Sequence, residues 1–267
     1  MTDQTPTPSN LPPILARVDG WPIHLTDLPS AIERIVERTR APTGFTVFTL
    51  NLDHLVKLRT NSAFQEAYHT ADLVTADGEP VAWLARFQNA QVNRTTGADL
   101  FMPLVKAAAR TELPIYMFGS TMAVLAKTSE RLKAETRGRI KIAGIAAPSG
   151  QFDPEGPEAD TAIAAIKASG ARLCFVALGA PKQEVFAARA VAQGCTAGFV
   201  CIGAAVDFVA GAQVRAPGVF QRYGMEWAWR LANNPQRLAK RYADCARVLI
   251  DVALLAPMRA GIARREI

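Results

Sequence analysis

Four cysteines in 267 residues, none of them spaced C-x-x-C, leave no framework for a disulfide-stapled fold or a zinc site. Three of the four fall in apolar, strand-like runs, so Cys174, Cys195, Cys201 and Cys245 read as buried free thiols of a chain kept in a reducing compartment. Histidine is scarcer still: His24, His54 and His69 are scattered and read as structural or surface groups. No G-x-G-x-x-G follows the first strand and no G-x-x-x-x-G-K-S/T occurs, which removes the best signals for dinucleotide and P-loop chemistry. H-E-x-x-H and G-x-S-x-G are absent as well. So is any D-x-D pair that could hold a divalent ion on a nucleotide diphosphate. No metal or cofactor is therefore expected, and phosphate binding would fall to arginines and helix N-termini. The longest late apolar run, residues 248–257, is too short to span a bilayer and contains Asp251. Residues 1–13 are rich in Thr, Pro and Ser without an apolar stretch, and are expected to form a disordered tail rather than a signal peptide.

What is present fits a soluble globular chain, 49% hydrophobic and 20% charged, long enough for one large α/β domain with an appendage. The net charge of +6 is unevenly spread. Residues 1–214 hold 20 basic and 20 acidic residues, whereas residues 215–267 hold 10 basic and 4 acidic ones. An excess confined to the last fifth predicts an anionic partner for that end alone.

Taken in order, a small hairpin turns at Asp19-Gly20, and Thr26 or Asp27 caps a helix through about Arg40. Phe45-Thr46-Val47-Phe48-Thr49-Leu50 is a buried strand, and Asn51 caps a helix through Leu58. Leu73-Val74-Thr75-Ala76 leads to Asp77-Gly78, with helix-like residues from Val81 to Leu84 beyond. Further strands are expected at residues 114–118, 140–145, 173–178 and 198–202, alternating with helices at about 100–110, 121–137 and up to 169. Strands of five to seven apolar residues alternating with helices predict a mostly parallel, Rossmann-like sheet with helices on both faces over residues 14–214. No internal repeat is visible. From Pro217 the pattern is helical only, with one helix from Phe220 to Asn233 and a second opened by Pro235. On the second, Arg237, Lys240, Arg241, Asp244 and Arg247 share one face, and Leu238, Tyr242, Cys245 and Leu249 the other. Such a helix suits an anionic membrane surface, here through residues 235–256, or equally a terminal helix packed on the body with a solvated basic face. The apolar positions from Val219 to Leu231 suit packing on the body or on a second subunit alike.

Polar groups recur at the expected strand ends: Thr49 and Asn51, Asp77, Gln183, and Asp207 after the Gly203 turn. In an open α/β sheet ligands sit beyond the carboxyl ends of the strands. Asp77 there has three roles open to it: general base, metal or ribose ligand, or helix cap. Spacing does not name the reaction.

The ordered motifs do point to a family. Thr49-Leu50-Asn51, Ala71-Asp72 through Asp77-Gly78, Arg94-Thr95-Thr96-Gly97-Ala98-Asp99 and Gly179-Ala180-Pro181-Lys182-Gln183-Glu184 resemble the WecG/TagA/CpsF bacterial glycosyltransferases, glycosyltransferase family 26. The resemblance continues through Gly203, Asp207-Phe208, Arg215-Ala216-Pro217, Glu226-Trp227, Arg230-Leu231, Pro235 and Arg241-Tyr242, and so covers about residues 14–247. It implies a GT-E type fold and an inverting, metal-independent transfer from a UDP-sugar to a polyprenyl-diphosphate-linked saccharide, at the cytoplasmic face of the membrane, in cell-surface polysaccharide synthesis. By the same resemblance Asp77 is the general base, Thr49 and Asn51 line the junction of acceptor and donor, and Arg94 lies nearby. Gln183, Asp207 and Gly179 fall to the donor, and Phe152 to stacking on its base. Arg215, Arg222 and Arg230 would close over the diphosphate from an appendage of residues 215–267. Members differ in donor: N-acetylmannosamine, its uronic acid or glucose. Two departures stand out, Ala76 where proline is usual and Glu79-Pro80 where a glycine is common. A competing nucleotide-sugar epimerase or dehydrogenase would need the missing glycine fingerprint and a Tyr-x-x-x-Lys pair. A catalytically dead lipid- or nucleotide-binding scaffold would not need Asp77, Arg94 and Gln183. No nucleic-acid partner is expected.

Overall fold

The structure, a computed structural model, describes residues 12–255. Most of the expected N-terminal tail, the last residues of the appendage (256–267) and the side chain of Arg237 lie outside what it describes. The elements run β1 (Ala16–Val18), β2 (Trp21–Ile23), α1 (Leu28–Arg38), β3 (Phe45–Leu50), α2 (Leu52–Leu58), α3 (Ser62–His69), β4 (Leu73–Ala76), α4 (Glu79–Arg86) and α5 (Gly97–Arg110). They continue with β5 (Pro114–Gly119), α6 (Met122–Glu135), β6 (Lys141–Ala146), α7 (Pro157–Ala168), β7 (Leu173–Ala177), α8 (Lys182–Ala192), β8 (Gly198–Cys201) and α9 (Ala205–Ala210). The chain then becomes helical, with α10 (Gly218–Arg222), α11 (Glu226–Asn233) and α12 (Pro235–Ile250), and the described residues end in a π-helical turn, Asp251–Leu255.

Six strands form one parallel sheet in the order β4-β3-β8-β7-β5-β6. Side chains alternate across a strand, so each apolar run supplies two cores at once. Phe48, Leu50, Val74, Val176 and Phe199 face one core with residues of α2, α3, α4, α7 and α8. Phe45, Val47, Leu73, Phe175 and Val200 face the other with α1, α5, α6 and α9. That double burial is why these strands read as continuous hydrophobic runs. β1 and β2 form the expected hairpin through Asp19 and Gly20, both at positive φ, and the amides of His24 and Leu25 bond the Val74 carbonyl beside the sheet. Asp27 caps α1 in a reciprocal box with Ser30. The four cysteines are free and buried.

β8 crosses close to β3, and only a glycine allows it. A Cβ on Gly198 would stand 2.2 Å from the Phe45 ring. Gly198→Ala is expected to cost about 1–3 kcal/mol of stability through overpacking. Urea unfolding checks this, as a lower midpoint at unchanged slope.

One expectation is corrected here, and one open alternative is narrowed. The single helix from Phe220 to Asn233 is broken into α10 and α11 at Gly224. That residue has φ +68°, and a Cβ there would meet Glu79 Cγ at 2.3 Å, so the chain turns where it presses on α4. The apolar face of α12 lies against the body. α12 packs along α2, with Cys245 and Val248 buried and Tyr242 and Leu249 partly so. The terminal-helix alternative is the one the structure adopts for that face.

Candidate active site

Four strands end at one place. The carboxyl ends of β3, β4, β7 and β8 open into a cleft of about 960 Å³, which α11 and α12 wall on the far side. The cleft lies where ligands are expected in an open α/β sheet, because β3 and β4 wind to one side of it and the later strands to the other.

Asp77 is the first residue past β4. Its amide donates to the Leu50 carbonyl at 2.8 Å, which extends the β3–β4 ladder by one rung and fixes where the carboxyl emerges. Asn51, the first residue past β3, caps α2 by accepting from the His54 amide at 2.9 Å. Burial raises the Asp77 pKa to about 6, against the pull of the neighbouring Asn51 side chain and of the Arg230 charge; Asp99 and Glu226 push it further up. Asp77 caps no helix: Gly78 stands at the N-terminus of α4, with Pro80 in the first turn. The Glu79-Pro80 departure is therefore a helix start, and Ala76 is a buried ladder residue paired with Leu50.

Beside Asp77 runs the loop that carries Arg94. The Thr95 amide donates to Ala76 O at 2.8 Å, and Thr75 Oγ1 donates to Thr95 O at 2.8 Å, so the loop is stitched to β4. Thr96 then caps α5 in a box with Asp99. Asp99 anchors a network of charges. Its Oδ1 lies 2.7 Å from Arg215 Nη2, and Glu226 Oε1 lies 3.2 Å from the same nitrogen and 3.3 Å from Arg94 Nη1. The arginines hold Asp99 ionised, its pKa lowered chiefly by Arg215 against the cost of burial. Body and appendage are thus fastened together at the edge of the cleft.

Lys57 and Arg241 form a second, cationic group. Asp53 Oδ2 lies 2.7 Å from Lys57 Nζ and its Oδ1 2.8 Å from Arg241 Nε, while Lys57 also donates to the Ala180 carbonyl at 3.0 Å. One aspartate therefore holds two cations, from α2 and α12, at the wall. Arg230 joins them on the lining, with its only ion pair among the described residues at the long distance of 4.0 Å to Glu226.

On the β7 side, the loop after Gly179 contains a cis Ala180–Pro181 bond and leads into α8. Gln183 is buried with both ends of its amide used. Nε2 donates to Glu184 Oε1 at 2.7 Å, and Oε1 accepts from the Gly203 amide at 3.1 Å. Gln183 thus holds the Gly203 turn in place at the cleft. Behind it Glu184 is fully buried, and burial raises its pKa to about 7. His54 is buried beside it with its pKa lowered to about 3 by desolvation, and bonds Tyr68 through Nδ1 at 2.8 Å. Asp207, at the start of α9, accepts from Ser120 Oγ at 3.1 Å.

Of the residues singled out in the sequence, Thr49, Asn51, Asp77, Arg94, Gly179, Gln183, Asp207 and Arg230 line this one cleft. Three do not. Phe152 is buried against Phe118 and Phe186 in the core, so its ring is spent on packing and unavailable to stack on a base. Arg222 is exposed on α10 outside the lining, and Arg215 is taken up by Asp99 and Glu226. The sequence reading missed Lys57, Trp227, Arg241 and Tyr242, all of which line the cleft. For Lys57 the signal was its i,i+4 spacing from Asp53; for Trp227, Arg241 and Tyr242 it was their place in the family motifs, although the helical wheel put Arg241 on a solvated face. Among the described residues no group of three or more His, Cys, Asp or Glu side chains could hold a metal ion, and no helix is long and apolar enough to cross a membrane. In a comparison with known families, residues 16–260 match the model described as the glycosyl transferase WecG/TagA/CpsF family.

Proposed function

Since that match spans nearly the whole chain, which belongs to the WecG/TagA/CpsF glycosyltransferase family, we propose that the cleft performs an inverting, metal-independent transfer of a hexosyl unit from a UDP-sugar to a polyprenyl-diphosphate-linked saccharide. The family membership makes the protein a glycosyltransferase of polysaccharide synthesis, acting with a nucleotide-sugar donor and a glycan acceptor. The observation that carries the finer reading is the pairing of Asp77 with the cations across the cleft. A carboxyl with its pKa raised to about 6 is basic enough to take a hydroxyl proton, yet ionised at neutral pH.

In the reaction, Asp77 accepts the proton of an acceptor hydroxyl as that oxygen attacks the anomeric carbon of the donor. The bond from that carbon to the diphosphate breaks on the opposite face, and the nucleoside diphosphate leaves with the electron pair. Arg230, Arg241 and Lys57 face the developing charge, and in this reading they do what a divalent ion would do elsewhere. Thr49 and Asn51 flank the base, while Gly179, Gln183 and Asp207 border the donor side. The site would work on the inner face of the cell membrane, where both substrates meet.

Incubating the protein with a panel of UDP-sugars and a diphosphate-lipid acceptor, with and without EDTA, tests this. One sugar is expected to be transferred with anomeric inversion, at a rate that EDTA leaves unchanged. Loss of transfer on chelation overturns the metal-free reading, and retention of configuration overturns the single-base mechanism.

A further inference from the structure

Once α12 has spent its apolar face on α2, the surface is left with an apolar patch elsewhere. Among the described residues, six of the eleven exposed large hydrophobics fall on two short segments: Trp83 and Phe87 on α4, and Val219, Tyr223, Met225 and Trp227 on residues 219–227. The two segments touch. Gly224, between Tyr223 and Met225, presses on Glu79, and Glu79, Trp83 and Phe87 follow one another at four-residue steps along one side of α4. Trp83 and Phe87 pack on each other with centroids 4.4 Å apart while remaining 47% and 64% exposed. Gly78, Pro80, Gly224 and Trp227 belong at once to these segments and to the lining of the cleft, so the patch begins at its mouth.

Charge frames it. At one end Gln88, next to Phe87, is bonded in both directions to the backbone of Arg17. At the other, Arg222 adjoins Tyr223. Arg17 and Arg222 are exposed and pair with no carboxylate among the described residues. The acid within the patch, Glu79, lies 3.1 Å from Arg86 and is balanced by it. Two copies meeting through this face would set unpaired cations against each other. An anionic surface would complement them, and exposed aromatic rings beside cations are the composition that settles at the headgroup level of a bilayer.

We propose that α4 and residues 219–227 form the membrane-docking face of this protein, with Trp83 and Phe87 as the interfacial anchors and Arg17 and Arg222 meeting anionic lipid headgroups. The cleft mouth would then open at the lipid surface. The proposal rests on the transferase reading only for what the docking serves; the patch itself stands on exposure, packing and charge.

Co-sedimentation of the full chain with vesicles tests it, using phosphatidylglycerol–phosphatidylcholine mixtures against phosphatidylcholine alone. Wild type is expected to bind the anionic vesicles. Trp83→Ala combined with Phe87→Ala should weaken that binding about tenfold or more, from the apolar surface lost. Arg17→Ala combined with Arg222→Ala should weaken it about fivefold per cation and flatten its salt dependence. Thermal melting and UDP binding, measured on the same preparations, are expected to match wild type and show that the fold and the cleft are intact. If wild type ignores anionic vesicles, or the double aromatic variant binds them as wild type does, the proposal fails. It fails too if that variant instead turns a dimer into a monomer, since the patch would then be a contact between copies. Vesicle binding that responds as expected in a protein that binds no UDP would overturn the UDP-sugar reading of the cleft and leave the docking face standing.

Discussion

Asp77→Asn is expected to lower the rate of sugar transfer by about 10²–10⁴-fold, the usual worth of a positioned general base, while leaving UDP binding near wild type. Asparagine keeps the size and shape of the side chain, so the cleft has no reason to rearrange. It cannot take a proton. Steady-state transfer and calorimetric UDP binding separate the two effects; near wild-type transfer would remove Asp77 from the role of base. The pH dependence follows from the same group. Burial holds its pKa at about 6, and only the ionised form is a base, so kcat/KM should rise as pH rises through about 6 and level off above it. Because the Arg230 charge lowers that pKa, Arg230→Ala should move the acid limb to higher pH. Glu226 acts in the opposite sense.

Arg230→Ala combined with Arg241→Ala is expected to lower kcat/KM by about 10²–10³-fold, with loss in both nucleotide affinity and turnover. Removing a single donor aimed at a developing negative charge already costs about 10²-fold or more. Arg222→Ala, on the exposed outer side of α10, should change kcat/KM by less than about twofold with a soluble acceptor, as an ordinary surface substitution does. This contrast separates cleft position from basicity alone, because all three arginines come from the same basic stretch of the chain. Equal losses from Arg222 and from the Arg230–Arg241 pair would show that the leaving group is not met where the cleft places those residues. Arg241→Ala also leaves Asp53 with Lys57 alone, so its melting temperature must be measured beside its kinetics.

The sheet and most of its strand ends were legible in the chain itself. A parallel strand covered on both faces must be apolar throughout, so β3, β4, β7 and β8 announce themselves without reference to their partners. The polar residues that end them, Asn51, Asp77 and the Gly179 loop, are equally visible, because the run of apolar residues stops there. Motif order then placed the chain in its family. The strand order β4-β3-β8-β7-β5-β6 was not visible, since pairing between distant segments, above all β3 with β8, leaves no mark in local pattern.

The second wall of the cleft was legible only in part. Helical periodicity gives each residue of α12 an angle around its axis, but not the angle at which the helix lies on the body. The wheel grouped Arg241 with solvated Lys240 and Arg247; docking on α2 turns it to Asp53 instead. Phe152 shows the same gap, since an aromatic in a Pro/Gly-rich loop looks free to stack until Phe118 and Phe186 are found around it. By itself the sequence determined which residues end the strands, and so the base-side floor of the cleft, because those positions are set by local burial. Which cations face that floor, and which aromatics remain on the surface, was decided only by the tertiary structure, because both depend on how α10, α11 and α12 close over the sheet.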